Sequence, residues 1–333
     1  MSTEEDRRPL LLDRDQVAKV FDLDCSLASQ REAFSRLGRG DADQPARLTL
    51  PVARDGSLAF CYAARLAPGS GAVSKFGSVN PGNAATGMPT VTATVLVLDP
   101  DDGRLVAIIE GTSLTALRTS AASALAASLL AKPDASIAAV LGPGVQGRGH
   151  VRAFAHALSL QEIRVWGRNR QAAESAAVAL DQQVRPRVLA AATVPEALAG
   201  ADLVATCTGS STPLVDPEWL APGATVISIG SIAPDRSEVD LGVVAAAAAV
   251  VVDHPPAALE HAGPVIQALT AGLLRETDLV GLGEVVTGRH PGRSSPGDLI
   301  FYNSLGLGVQ DAAAAWAIVK RAGDLGVGTR VAL

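Results

Sequence analysis

The sequence predicts an α/β protein built in two parts. Residues 126–299 are expected to form a doubly wound parallel sheet, and residues 1–125 with 300–333 an α+β domain. Three observations lead there. Beyond residue 135, short apolar runs alternate with helix-like segments, the rhythm of parallel strands joined by crossover helices. The first of those runs ends in Gly142-Pro143-Gly144-Val145-Gln146-Gly147, a G-x-G-x-x-G turn that leads into a helix-like stretch. Before residue 111 the alternation is missing and strand-like runs follow one another; beyond about residue 290 it breaks again. A chain of 333 residues also exceeds the ~100–200 residues of one ordinary domain.

Taken in order, Asp13 to Phe21 and Leu27 to Leu37 carry apolar residues at helical spacing. Strand-like runs follow at Leu58 to Ala63, Ala72 to Ser78, Thr90 to Leu98 and Leu105 to Glu110. Between the last two, Asp99-Pro100-Asp101-Asp102-Gly103 reads as a hairpin turn, which predicts an antiparallel-rich sheet. Thr112 to Ala131 reads as an alanine-rich helix, capped by Thr112 or Ser113 and stopped by Pro133. Strands are then expected at 136–141, 162–166, 187–191, 202–206, 224–229 and 248–252, with helices between most of them. A loop from Pro291 to Gly297 ends the rhythm. Asp298 to Tyr302 is one more strand candidate, and Leu307 to Ala322 an amphipathic helix expected to pack back on the first domain.

The glycine turn predicts a Rossmann-type dinucleotide site. Gly142 allows the tight turn, Gly144 lets backbone approach a pyrophosphate, and Gly147 lets helix pack on strand. The helix start at Val145 and Gln146 then offers N–H groups and a positive dipole end. The next strand, Glu162 to Trp166, ends in Gly167-Arg168-Asn169-Arg170. An NAD-preferring fold carries Asp or Glu about 20 residues on, to bind the ribose hydroxyls. Here a guanidinium stands in that place, suited to grip a 2′-phosphate. The expected cofactor is NADP(H) in preference to NAD(H), held by Arg168, Asn169 and Arg170.

Composition excludes several other classes. The net charge of −6 argues against nucleic-acid binding, and aromatics at 3% leave few platforms for stacking bases. Cys25, Cys61 and Cys207 are odd in number and show neither disulfide nor metal spacing. The five histidines, His254 and His261 among them, show no ligand pattern, so no metal is expected. Met1 to Leu10 is charged and does not read as a signal peptide. The longest apolar run, Val243 to Val252, is too short to span a bilayer. A cytoplasmic protein without a membrane or nucleic-acid partner is the expectation.

Three cations stand in apolar or glycine-rich company: Arg47, Lys75 in Val73-Ser74-Lys75-Phe76-Gly77, and Arg118 in Leu114-Thr115-Ala116-Leu117-Arg118-Thr119. A buried cation is costly unless paired, and the sequence shows no obvious partners. They suit either an anionic ligand such as a carboxylate or ordinary internal ion pairs.

The string Leu114 to Thr119, followed by Leu141 to Gly147, resembles the ornithine cyclodeaminase/mu-crystallin family. The resemblance covers nearly the whole chain. It includes Lys75 to Asn83, Thr206-Cys207-Thr208, Gly230 to Asp240, Leu282 to Val286, Pro291-Gly292-Arg293 and Ser304 to Asp311. It implies a homodimer whose subunits pair a substrate-binding and dimerisation domain with a Rossmann domain. It also implies hydride transfer between nicotinamide C4 and the α-carbon of an amino or imino acid. Arg47, Lys75 and Arg118 would hold the substrate carboxylate, and Thr206 and Thr208 would line the nicotinamide side of the cleft.

Departures from the family pattern narrow the reaction. Cyclodeaminases carry an aspartate third in a G-x-D-x-P-G motif, where this chain has Ile232 in Gly230-Ser231-Ile232-Ala233-Pro234-Asp235. They also carry a glutamate in the strand after Arg47, a place taken here by Phe60. Without either acid, a second substrate amino group loses its partners, which disfavours ornithine or lysine cyclodeamination. The Pro234-Asp235 form resembles the mu-crystallin branch. Asp235 and Glu238 are candidate catalytic-loop residues, or caps of a helix expected over Glu238–Val243. Asn303 replaces a lysine common in relatives, and Asp311 is expected either to face the substrate or to pair with a cation such as Arg118.

The reaction expected is NADPH-dependent reduction of an α-imino acid, such as Δ1-pyrroline-2-carboxylate or Δ1-piperideine-2-carboxylate. Lys75 or water would protonate a neutral imine. An NADP-linked dehydrogenase of an apolar amino acid is the alternative, with Phe60 and Ile232 lining its side-chain pocket and water delivered near Ser231 or Asp235. A protein that binds NADPH and a small acid without turnover is the rival outside enzymology.

Overall fold

The computed structural model describes residues 8–51 and 56–332, so the charged start at residues 1–7 lies outside the described residues. The chain divides into two compact units, Met1–Arg118 with Leu307–Leu333, and Thr119–Gly306.

The first unit opens with strand β1 (Leu10–Leu12) and helices α1 (Arg14–Val20) and α2 (Leu23–Arg39). Asp13 and Asp22 cap these helices by accepting the Gln16 and Cys25 amides at 2.9 Å each. Strands β2 (Leu48–Pro51), β3 (Leu58–Ala64), β4 (Val73–Val79), β5 (Val91–Leu98) and β6 (Leu105–Glu110) follow. From β2 to β6 each pairs antiparallel with the next, as the hairpin signals predict. Helix α3 (Gly111–Leu130) comes next. Its cap differs from the expected Thr112 or Ser113. The Glu110 carboxylate accepts the amides of both, at 2.9 and 3.0 Å.

The second unit is a parallel sheet. Its strands are β7 (Ile137–Leu141), β8 (Glu162–Trp166), β9 (Arg187–Ala190), β10 (Leu203–Thr206), β11 (Thr225–Ser228), β12 (Ala249–Val252), β13 (Leu279–Gly281) and β14 (Ile300–Asn303). Helices α4 (Val145–Ala157), α5 (Arg170–Asp181), α6 (Val194–Leu198), α7 (Leu241–Ala246), α8 (Pro255–His261), α9 (Gly263–Thr270) and α10 (Leu282–Val286) lie between them. Among the described residues the strand order is β13-β12-β14-β11-β10-β7-β8-β9, with neighbours parallel. The order reverses at β7, so a crevice opens at the carboxyl ends of β7 and β10. Strand β14 sits between β11 and β12, whereas the sequence reading put residues 300–303 in the other domain. Its alternation is weak because all four residues are buried, as parallel strands covered on both faces are. Arg293 fastens this unit from inside: its guanidinium donates to the carbonyls of Leu130 (2.8 Å), Asp298 (2.6 Å) and Gly223 (2.9 Å).

The chain returns to the first unit as helix α11 (Gly308–Leu325) and strand β15 (Thr329–Arg330). Among the described residues its sheet then runs β15-β1-β6-β5-β4-β3-β2. Helix α11, buried at Ala312 to Ala315 and Ile318, lies against α2 and against the inner face of β3, β4 and β5, whose buried side chains include Val73, Lys75, Val95 and Val97. The outer face is unusual. It exposes Leu48 (68%), Leu50 (64%) and Phe76 (59%), with Leu11, Leu96 and Leu98 between 38% and 39%. An antiparallel sheet facing water normally alternates to polar side chains, which this face does not.

Candidate active site

In the second unit the glycine turn forms as its spacing implies. Gly142 has φ +118°, and a Cβ there would lie 2.4 Å from the Cys207 carbonyl oxygen. At Gly147 a Cβ would lie 1.7 Å from the Gly142 oxygen, so helix α4 could not pack against its strand with any larger residue. Gly144 caps α4 without a side-chain bond, and a Cβ on it would meet no protein atom within 4 Å. No neighbouring protein atom demands a glycine there, and the bare backbone suits close approach by a pyrophosphate. Val145, 73% exposed, and Gln146 start the helix there, with first-turn amides open to an anion. A cleft of about 370 Å³ lies in front, lined by Gly142, Pro143, Arg168, Cys207, Thr208 and Leu214 among others. These features fit a dinucleotide pyrophosphate.

The residues after β8 divide their work. Arg168 is exposed on the cleft rim. Asn169 also borders the cleft, but its side chain accepts the Ala172 amide at 3.1 Å and caps α5. Arg170 pairs with Glu174 at 2.7 Å on the exposed face of that helix.

Behind the cleft, Glu238 gathers the ends of two strands. Its Oε1 accepts from the Thr208 amide (2.7 Å) and hydroxyl (2.6 Å). Its Oε2 accepts from the Thr206 hydroxyl (2.8 Å) and the Gly230 amide (2.6 Å). Burial pushes the Glu238 carboxyl up and these four donors pull it down, with the upward push larger. Thr206 is fully buried and meets Glu238, while Thr208 reaches the cleft wall. Ser231 is buried too, its hydroxyl accepting the Glu238 amide (2.9 Å) and the Ser228 hydroxyl (3.1 Å). The helix expected over Glu238–Val243 starts instead at Leu241, capped by Asp240, whose side chain accepts the Gly242 amide. Asp235 and Ile232 are exposed, Ile232 by 38%. Asn303 donates to the Ser228 carbonyl at 3.1 Å. His150 is buried as a neutral ring between the Gln146 carbonyl (2.8 Å) and the Ser123 hydroxyl (2.9 Å), and burial pushes it down to about 4.

In the first unit the cations come together, but not as lone charges. The Asp311 carboxylate lies 2.7 Å from Lys75 Nζ and 3.1 Å from Arg118 Nε. All three side chains are buried. Of the two roles expected of Asp311, pairing with Arg118 is the one that forms, and Lys75, for which no partner was expected, shares the same carboxylate on α11. Burial pushes the Lys75 ammonium down to about 8, against Asp311 and with help from the Arg118 charge. Arg118 also reaches Gln310 Oε1 at 3.5 Å, and Gln310 is held in turn by Gln30 at 3.0 Å. Arg47 reaches the Tyr62 hydroxyl at 3.4 Å.

The Lys75 ammonium stands 5.0 Å from the Tyr62 ring centre and 5.7 Å from that of Phe60. Tyr62 is the residue directly across from Lys75 in the sheet; Phe60 is opposite Gly77. The sequence reading missed Tyr62, though strand alternation puts it on the same face as Phe60 and Lys75. It also left the Glu238 role open, because nothing local in the sequence points to Thr206 or Gly230. Among the described residues no three metal-ligating side chains converge, and no helix is long and apolar enough to cross a membrane.

Comparisons with known proteins agree with this geometry. The model of the ornithine cyclodeaminase/mu-crystallin family matches residues 8–325. The ketimine reductase mu-crystallin of Mus musculus is 34% identical over 283 residues, 85% of this chain and 86% of that protein. Δ1-Pyrroline-2-carboxylate reductase of Thermococcus litoralis, solved with NADH and L-proline, superposes with a TM-score of 0.93 at 29% identity, over 97% of this chain and 100% of that one. An archaeal alanine dehydrogenase, a dimer with bound NAD, gives 0.91 at 27% identity, over 98% and 99%.

Proposed function

The chain belongs to the ornithine cyclodeaminase/mu-crystallin family, and from that premise we propose that it is an NADPH-dependent reductase of cyclic α-imino acids. It is a nicotinamide-dependent oxidoreductase acting on carbon–nitrogen bonds, as its relatives are. Δ1-Pyrroline-2-carboxylate and Δ1-piperideine-2-carboxylate are the substrates we assign. The observation that carries the reading is the buried Lys75–Asp311–Arg118 cluster, which keeps one net positive charge and a lysine pushed down to about 8.

On this reading Arg118 and Arg47 hold the substrate carboxylate, and the Lys75 ammonium faces the imine nitrogen. Such positioning supplies much of a rate enhancement. The dinucleotide, when bound, supplies a hydride from nicotinamide C4 to the imine carbon. Lys75 gives its proton to the nitrogen, a transfer favoured by a donor titrating near neutrality, and regains one from solvent. Asp311 keeps the lysine charged against its burial and against Arg118. Phe60 and Tyr62 pack aromatic rings beside the ammonium, and the Asp311 carboxylate that reaches it is already engaged by Lys75 and Arg118, so a second substrate amino group finds no ready partner there. The exposed Asp235 has no place in this scheme as a proton carrier, and its catalytic role, expected from sequence, is set aside in the proposal in favour of Lys75.

We assign Arg168 to the 2′-phosphate of NADPH, on its place at the cleft rim and the lack of a carboxylate there. The apolar outer sheet face supports a homodimer through the first unit, as does the dimeric alanine dehydrogenase relative. A cytoplasmic setting remains part of the proposal.

The test follows nicotinamide absorbance with NADPH and with NADH against five- and six-membered cyclic imino acids. Rapid NADPH-selective loss is the expected result. Inert cyclic imines together with brisk oxidation of one apolar amino acid by NADP⁺ would overturn the assignment in favour of a dehydrogenase. Tight NADPH binding with no turnover on either panel would overturn it in favour of a binding protein.

A further inference from the structure

Glu238 is a fully buried carboxylate whose bonding partners among the described residues are all neutral. A buried anion without a cation is costly, and proteins seldom keep one that does nothing. Four donors offset part of that cost. Two of them, the Thr208 and Gly230 amides, are fixed in the backbone and meet different oxygens. Each oxygen is thus held as an acceptor, which fits the ionised form.

The sheet order locates this charge. Strand β8, with Arg168 after it, lies on one side of the glycine-turn strand β7; β10 and β11 lie on the other. In doubly wound dinucleotide folds the two halves of the ligand divide across that switch point. Arg168 marks the adenosine half. Thr206, Thr208 and Gly230, at the ends of β10 and β11, therefore mark the nicotinamide half. Thr208, in the cleft wall, is bonded directly to Glu238, so the carboxylate stands one residue behind that wall. Cys207, which lines the cleft, has its thiol pushed well up, first by burial and then by Glu238.

We infer that Glu238 is a built-in counter-charge for the oxidised nicotinamide ring. It holds the cationic pyridinium of the oxidised cofactor more tightly than the neutral dihydropyridine of the reduced one. That bias makes the bound reduced cofactor a better hydride donor. The inference rests on the reading of the cleft as a nicotinamide-dinucleotide site.

The experiment is calorimetric titration of NADP⁺ and NADPH into wild type, Glu238→Gln, Glu238→Asp and Thr208→Val, with no substrate present. Glu238→Gln should lose about tenfold more affinity for the oxidised than for the reduced form, the value of a partly screened charge at short range. Glu238→Asp keeps the charge and shortens the tie, so both affinities fall while their ratio holds within about twofold. Should Glu238→Gln fail to fold, Thr208→Val carries the test. It removes a hydroxyl dipole that partly screens the carboxylate, so the charge bears more strongly on the ring and the ratio should shift by roughly threefold in the opposite direction, toward the oxidised form. Equal losses of both forms in Glu238→Gln, or an unchanged ratio in Thr208→Val, would make Glu238 a structural tie only and overturn the inference. A ratio that collapses alike in the Asp and Gln variants would overturn it too. A wild type that binds neither form would bring down the dinucleotide reading itself, which the other outcomes leave standing.

Discussion

Replacing Asp311 with Asn tests the centre of the proposed chemistry. The substitution keeps the shape and removes the charge that lies 2.7 Å from Lys75 Nζ and 3.1 Å from Arg118 Nε. At an effective dielectric of about 20, those separations correspond to roughly 6 and 5 kcal/mol of attraction. Desolvation already offsets part of this, so the expected loss of folding stability is about 3–5 kcal/mol, the range for breaking a buried pair. Lys75, pushed down to about 8, then loses the one charge that holds it up and keeps the Arg118 charge that pushes it down. Its titration should fall by at least about one pH unit. The proposed reduction needs the protonated lysine, so kcat/KM is flat below its titration and drops tenfold per pH unit above it. The falling limb therefore moves to lower pH in Asp311→Asn. Urea denaturation and a kcat/KM–pH profile read the two effects. A limb that stays in place, or moves up, would remove Lys75 as the proton donor. A stability loss below about 1 kcal/mol would mean the pair is not formed in solution.

Three other outcomes are expected. Arg168→Ala should weaken NADPH binding by about 1.5–3 kcal/mol and leave NADH nearly unchanged, in fluorescence titrations; equal losses would show that Arg168 does not read the 2′-phosphate. His150 is pushed from its usual 6.5 to about 4 in the fold, so as pH falls below 6.5 the unfolded chain takes up the proton first. The stability it contributes is fully present above about 6.5 and is lost by about pH 4, roughly 3 kcal/mol in all, and a His150→Gln variant should lose less over that window. Leu50→Lys with Phe76→Lys, on the outer sheet face, should turn the proposed dimer into a monomer by light scattering; a dimer that persists would place its interface elsewhere.

Much of the fold was legible because its signals are local. The glycine turn, the β5–β6 hairpin and the alternation from residue 136 onward each lie within a few tens of residues. The elements that escaped are those whose neighbours supply the reason for them. Strands β1 and β2 are too short to show a period; β14 was legible as a strand but not as a member of the parallel sheet, because with both faces covered it has no alternation. The α3 cap was misplaced because Glu110, as the last residue of a strand, does not look like a cap. Among site residues, Lys75 and Arg118 were visible as cations in apolar company. Their partner was legible in part: pairing with Arg118 was one of the two roles expected of Asp311, while its contact with Lys75 was not, since nothing local in the sequence sets α11 against β4.

That partner changes the argument about the substrate. Three bare cations would call for a polyanion, and a monocarboxylate would leave most of their cost unmet. With Asp311 already between Lys75 and Arg118, the cluster carries one net positive charge. On the proposed reading a single substrate carboxylate balances that charge, and the Lys75 proton leaves with the imine nitrogen during reduction. Asp311 thus does for this site what a second substrate carboxylate would otherwise do. It follows that a dicarboxylic imino acid should gain little here over a cyclic monocarboxylate, whereas Asp311→Asn should shift the preference toward the dicarboxylate. Comparing kcat/KM for one substrate of each kind in the two proteins measures that shift. An unshifted preference would mean that the substrate does not meet this cluster at all.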